Sequence, residues 1–286
     1  MSANPLFPRS RDRQRSATRP RSDDNVGEAE RNPLVKQRRR KSCRCRHSPD
    51  DTALLLTTYR RVMTISDTPT INIDIWSDVV CPWCYIGKRK FESAVANLGD
   101  EIRVNVTYRA YQLDPTASPG KTEPVRGVYE RKFGGPEQAD RILTHVTSVA
   151  AEAGLDFQMD NAQRANTLLA HRLIWRAGQP DSPVAQSEVK ELLLASYFTN
   201  GNNIGDPEEL AELMQQLGAD RADTLAFLET HEGEQEVREE LLGASELGIT
   251  AVPTYVVEGQ WSIPGAQESE TFERVLRRLA DRMNEA

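Results

Sequence analysis

Two cysteines three positions apart, Cys81 and Cys84, enclose a proline and a tryptophan, Pro82 and Trp83. Thiols at this spacing can exchange electrons with a substrate: one thiolate attacks a disulfide, and its neighbour resolves the mixed disulfide that forms. Pro82 suits a first helical position, because its missing N–H would have no partner there. Cys81 then stands at a helix N-terminus, with Cys84 one turn inside on the same face. Unpaired N–H groups and the positive end of the helix dipole favour a Cys81 thiolate. A thiol pKa falling from about 8.5 to about 6 corresponds to roughly 3.4 kcal/mol of preference for the charged form. Cys81 is therefore the expected exposed nucleophile and Cys84 the resolving thiol. The flanking residues supply the elements that hold them. Ile71, Ile73 and Ile75 alternate with Asn72, Asp74 and Trp76, which predicts a strand. From Tyr85 to Leu98, Ile86, Phe91, Ala94, Val95 and Leu98 recur at helical spacing.

Two other roles for the pair are weaker. A structural zinc needs four ligands, commonly two CxxC pairs or one CxxC with two histidines. The remaining cysteines, Cys43 and Cys45, form a CxC inside an arginine run beside His47, and no ligand spacing completes a tetrahedron. Simple core packing does not account for a Pro-Trp insert at a strand-to-helix junction.

The charge is unevenly distributed. Residues 1–62 hold 16 Lys and Arg against 7 Asp and Glu, a net of +9, while residues 63–286 hold 20 against 36, a net of −16. The acidic part lacks the clustered Lys and Arg that a phosphate-facing protein needs, so no nucleic-acid partner is expected. No apolar run approaches a membrane span of about 18–20 residues, and Ala53-Leu54-Leu55-Leu56 is too short for a signal-peptide core. A cytoplasmic location is the resulting expectation. A lone CxxC fits it, since structural disulfides are uncommon in that compartment.

Residues 1–66 read as a disordered basic tail, rich in Arg, Ser, Pro and Asp without hydrophobic periodicity. Its basic run Lys36-Gln37-Arg38-Arg39-Arg40-Lys41 reads as a solvated tail. Met63, just before a short polar lead into the first strand, is a candidate translation start. A second strand is expected from Ile102 to Tyr108. Residues 116–135 form a loop with a short helix near Val128–Lys132. Helical patterns then cover 136–153, 161–177, 182–198, 206–217, 220–230 and 232–247, the fourth opened by Asp206-Pro207-Glu208-Glu209. Thr254-Tyr255-Val256-Val257 and Gln260-Trp261-Ser262-Ile263 are short strands, and 269–282 is an amphipathic helix carrying Phe272, Val275, Leu276 and Leu279. The order is an α/β thioredoxin-like β-α-β … β-β-α core, from residues 70–115 and 248–286, interrupted by an all-helical insertion at 116–247.

Several stretches together resemble DsbA-like proteins of the thioredoxin superfamily, specifically the FrnE-like and 2-hydroxychromene-2-carboxylate isomerase group. They are Ser77-Asp78-Val79-Val80-Cys81-Pro82-Trp83-Cys84-Tyr85-Ile86-Gly87, Tyr108-Arg109-Ala110-Tyr111-Gln112-Leu113-Asp114-Pro115 and Asn166-Thr167-Leu168-Leu169-Ala170-His171. Further along come Ser196-Tyr197-Phe198, Val252-Pro253-Thr254 and Ile263-Pro264-Gly265-Ala266-Gln267. The resemblance spans roughly residues 70–285. It implies a thiol–disulfide oxidoreductase with Cys81 and Cys84 as catalytic residues. It also implies a cis Val252–Pro253 bond facing the CxxC, where the Val252 backbone would pair with an extended substrate. Pro82, Trp83, Val252 and Pro253 are the substrate-binding candidates. Asp78 is a candidate proton relay or helix cap. His171 is a candidate relay or a hydrogen-bonded packing residue, and Asn166 a cap or substrate contact. Trp175 and Trp261 are expected to pack, and Tyr197 and Phe198 to close the insertion onto the core.

The related isomerases and kappa-class glutathione transferases typically carry serine at the first active-site position and use glutathione. Cysteine at both positions here favours electron exchange. The alternative is a glutathione-dependent isomerase or transferase acting on a small aromatic or polyketide substrate. A third reading makes the insertion a protein-binding module. The expected partners are disulfide- or thiol-containing substrates, with no metal and no cofactor beyond glutathione as a redox partner.

Overall fold

A computed structural model describes residues 68–285 of the chain. The basic tail, with Cys43, Cys45 and the candidate start at Met63, lies outside the described residues. Strand β1 (Thr70–Ser77) hands over through a tight turn to helix α1 (Pro82–Leu98), and β2 (Arg103–Ala110) returns beside β1. The two strands are parallel, with Ile73 opposite Val106, which is why a helix-length crossover must separate them. The intervening segment holds β3 (Glu123–Pro124), α2 (Val125–Phe133), α3 (Pro136–Glu152), β4 (Gln163–Arg164), α4 (Leu168–Ala177) and α5 (Gln186–Ala195). It continues through a π-helical turn (Ser196–Asn200), α6 (Pro207–Gln215), α7 (Arg221–Glu229) and α8 (Glu234–Glu246). The chain then re-enters the sheet with β5 (Thr254–Val257) and β6 (Trp261–Pro264) and closes with α9 (Ser269–Glu285).

The main sheet has the order β2-β1-β5-β6. Strand β5 lies antiparallel to β1, with Ile75 opposite Tyr255, and β6 antiparallel to β5, with Tyr255 opposite Ile263. The alternation in β1 sends Ile71, Ile73 and Ile75 into the core. Phe91 of α1, Tyr255 of β5 and Phe272 of α9 meet there, with ring centroids 4.7–5.2 Å apart and two of the three contacts edge-on. Each such buried ring contributes about 1.5–3 kcal/mol relative to exposure, so this trio clamps both terminal helices to the sheet.

The insertion shares that core rather than standing apart from it. Tyr85 of α1 stacks on Phe157, and Phe157 on Phe198, at centroid separations of 5.9 and 4.4 Å. Glu191 of α5 accepts hydrogen bonds from Tyr85, Lys88 and Arg89 at 2.7, 2.5 and 2.6 Å, tying α5 directly to the CxxC helix.

Three local expectations are corrected. The insertion is not all-helical, because β3 and β4 pair antiparallel, Glu123 opposite Arg164. The helix expected from residue 161 begins only at Leu168. The amide of Val125 donates to Ala162 O at 3.0 Å. Asn166 Nδ2 donates to Ala117 O at 2.7 Å, and its Oδ1 accepts from Leu168 N at 2.9 Å. Asn166 thus turns the chain just ahead of the Thr167 cap position, competing with helical geometry as short polar side chains do. The third helix likewise stops at Ala195 and continues as the π turn. The Asp206 cap forms as expected, accepting from Glu208 N and Glu209 N at 2.9 and 3.1 Å. Among the described residues, no helix is long and apolar enough to cross a membrane.

Candidate active site

Strand β1 ends at Ser77 and the chain turns through Asp78, Val79 and Val80 before α1 starts. Cys81 is the N-cap residue, with extended backbone (φ −89°, ψ 114°), and Pro82 takes the first turn as anticipated. The Cys81 carbonyl accepts from Cys84 N at 3.0 Å, so the helix is already closed across the motif. Both sulfurs are free thiols.

Cys81 is not the exposed residue expected: it is 3 % exposed and Cys84 2 %. The loop before β5 covers it, and its Sγ donates to the Val252 carbonyl at 3.5 Å. The Val252–Pro253 bond is cis. Cys81 nonetheless borders an open groove of about 460 Å³ whose walls include Pro82, Trp83, Tyr129, Val146 and Val252, and Cys84 does not reach it. Of the substrate-binding candidates, Pro82, Trp83 and Val252 line this groove, while Pro253 does not. Its ring instead faces α1 at Gly87. A Cβ on Gly87 would lie 3.0 Å from Pro253 Cγ and 2.8 Å from Tyr255 Oη, so the close approach of helix to loop needs glycine there.

Behind the thiols lies a group of buried ionisable side chains. Asp78, His171 and Lys190 are 0 %, 2 % and 1 % exposed. Asp78 Oδ1 lies 3.2 Å from His171 Nε2, and its Oδ2 accepts from Leu113 N at 2.8 Å. Asp78 therefore does not cap α1 with its side chain; it braces the strand-to-helix turn against α4 and the segment after β2. Lys190 of α5 donates to Ser77 O at 3.3 Å, with its Nζ 5.9 Å from the centre of the Tyr108 ring. Burial lowers the Lys190 ammonium to about 8, although the charges of Cys84, Asp78 and Cys81 pull it upward. The hydroxyl of Ser77 is buried without a hydrogen-bond partner and lies close enough to Cys84 to favour its anion.

These neighbours reassign the charge of the reduced pair. The two thiols are close neighbours and titrate together. The Cys84 thiol beside it, then burial, pushes Cys81 well above an ordinary thiol. Burial opposes the Cys84 anion too, but the Cys81 thiol, the Lys190 charge and the nearby Ser77 hydroxyl outweigh it and bring Cys84 down. These surroundings favour the first negative charge on Cys84. The expected lowering at Cys81 came from the helix start alone, without the Lys190 charge that lies behind Cys84.

Lys190 is the residue that sequence reasoning missed. The signal was present: Gln186, Lys190, Leu193 and Tyr197 follow one another at helical spacing, which puts a cation on a buried stripe. Among the described residues, no three His, Cys, Asp or Glu side chains converge as metal ligands would.

The chain is similar to known proteins. The uncharacterized protein YwbO of Bacillus subtilis is 29 % identical over 209 residues, 72 % of this chain and 96 % of that one. The crystal structure of a probable DsbA oxidoreductase from Streptomyces coelicolor superposes with a TM-score of 0.68 at 30 % identity, covering 73 % of this chain and 89 % of the other. A 2-hydroxychromene-2-carboxylate isomerase shares the fold at 16 % identity, with a TM-score of 0.55 over 75 % of this chain and 98 % of its own. The family model of the DSBA-like thioredoxin domain matches residues 72–277. That match spans most of the sequence, and this chain belongs to the family of DsbA-like thioredoxin-domain proteins.

Proposed function

We propose that the protein is a thiol–disulfide oxidoreductase in which Cys81 is the nucleophile and Cys84 the resolving thiol. One observation carries this reading: of two neighbouring buried thiols, Cys81 alone borders the groove, and Cys84 stands behind it near Lys190 and Ser77. As Cys81 Sγ attacks one sulfur of a substrate disulfide, its proton passes to the neighbouring Cys84 anion. The substrate S–S bond breaks, a mixed disulfide forms at Cys81, and one substrate thiolate leaves. Cys84 then gives up its proton and attacks Cys81 Sγ. The second substrate thiolate leaves, the two departing thiolates are protonated, and the protein ends with a Cys81–Cys84 disulfide. Two electrons have passed to the substrate, and an external dithiol or glutathione restores the reduced pair. The same steps run backwards oxidise a dithiol. For the proton relay we propose Asp78 with His171, a hydrogen-bonded pair beside the CxxC turn.

Dithiothreitol-driven reduction of insulin tests the assignment. The protein is expected to shorten the lag before insulin precipitates, in proportion to its concentration; a lag unchanged at micromolar protein contradicts it. The isomerase or transferase alternative makes a separate demand, a saturable glutathione site in a calorimetric titration.

A further inference from the structure

Five large hydrophobic side chains are exposed among the described residues, and three of them, Trp83, Leu113 and Phe133, line the groove beside Cys81. Clustering of exposed apolar groups in this way marks a surface meant to be covered. The groove's ionisable lining, apart from Cys81 and Tyr129, consists of Lys132 of α2 and Arg141 and His145 of α3, with no aspartate or glutamate. Neither Lys132 nor Arg141 is spent on an ion pair within the described residues: Lys132 lies over the Phe133 ring and Arg141 binds the neutral Gln138. This basic lining belongs to a chain whose net charge is −7. The local field at the groove therefore opposes that of the whole molecule, and it is the local field that an incoming segment meets at contact.

We infer that the groove takes an extended segment of a protein substrate with acidic residues flanking its reactive cysteine, and that Lys132 and Arg141 select for those carboxylates. The inference rests on the thiol–disulfide reading of the same site. Trp83, Leu113 and Phe133 spread the apolar lining across walls supplied by α1, the segment after β2 and α2. That breadth suits side chains on either side of a cysteine better than a single small thiol. The sheet core thus supplies the reacting sulfur, and the α2–α3 pair supplies discrimination.

Substrates of opposite charge test this. Disulfide-linked dimers of a short peptide, with glutamate on both sides of the cysteine or lysine on both sides, are reduced by the dithiothreitol-recycled protein at low ionic strength. Neutral hydroxyethyl disulfide and oxidised glutathione serve as comparisons. Two exposed ion pairs give an expected preference for the acidic peptide of about 5- to 30-fold in kcat/KM. It should shrink with added salt. In the doubly substituted Lys132→Glu, Arg141→Glu protein it should reverse, each peptide being read as a ratio to hydroxyethyl disulfide with the same protein. Equal rates for the two peptides, or a preference that survives the double substitution, would overturn the inference. So would oxidised glutathione outrunning the acidic peptide, which would give the groove to a small anionic disulfide. No turnover of hydroxyethyl disulfide would sink the thiol–disulfide reading itself.

Discussion

Replacing Cys81 with serine is expected to reduce insulin-reductase activity to the uncatalysed rate, a loss of at least about 10³-fold, as when other nucleophiles are removed from enzymes. Serine is close to cysteine in size, and its hydroxyl can still donate to the Val252 carbonyl that accepts from Cys81 now, so the fold should survive. Cys84→Ser has a different signature. Cys81 can still attack from the groove, but nothing behind it can resolve the product. The variant should accumulate a mixed disulfide with substrate, seen as one added substrate mass that reductant removes. The asymmetry follows from placement, since Cys81 borders the groove and Cys84 does not. A Cys81→Ser protein that traps substrate through Cys84 would reverse the assignment.

The second large effect concerns Lys190. Its removal in Lys190→Met takes away a buried positive charge that lowers Cys84. The pair should therefore ionise at higher pH. A more basic thiolate is also more nucleophilic, which offsets roughly half of the lost ionisation. The net expectation is a reaction about 3- to 10-fold slower at pH 7 and recovering as pH rises, with the pH–rate profile displaced upward. Stability should change in the opposite sense. Lys190 falls from its ordinary value to about 8 in the folded protein. Below that pH the lysine is charged in both folded and unfolded chains, so the full cost of burying the charge is present. Between the folded and unfolded values the unfolded chain holds more protons, and stability rises with pH. Above both, the cost is gone. Methionine fills similar volume without a charge, so the reduced variant should melt at a higher temperature than wild type at pH 7. A slower enzyme with a lower melting temperature and an unmoved pH profile would make Lys190 a structural brace only.

Much of this site could be read along the chain because its parts are local. The Ile71–Ile73–Ile75 alternation, Pro82 at the first helical position and the Val252–Pro253 step each announce themselves within a few residues. What escaped depends on neighbours from distant elements. Lys190 shares a helical stripe with Leu193 and Tyr197, but its charged neighbours Glu188 and Glu191 obscure that spacing, and the sheet packed against α5 is what makes it a buried cation. The ionisation of Cys81 was read from the helix start alone, whereas Cys84, Ser77 and Lys190 set where the charge rests. The helix over-extended to residue 161 failed for a related reason: Asn166 binds Ala117, a partner almost fifty positions away.

Everything rests on a reversible bond between two sulfurs, and a redox titration of the Cys81–Cys84 couple tests it most directly. The protein is equilibrated in glutathione buffers from fully reducing to fully oxidising, acid-quenched and alkylated, and the peptide holding both cysteines is weighed. We expect one two-electron transition, from two alkylated thiols to an unalkylated peptide lacking two hydrogens, fully reversed by dithiothreitol. Two thiols that remain alkylatable in the most oxidising buffer would contradict the account.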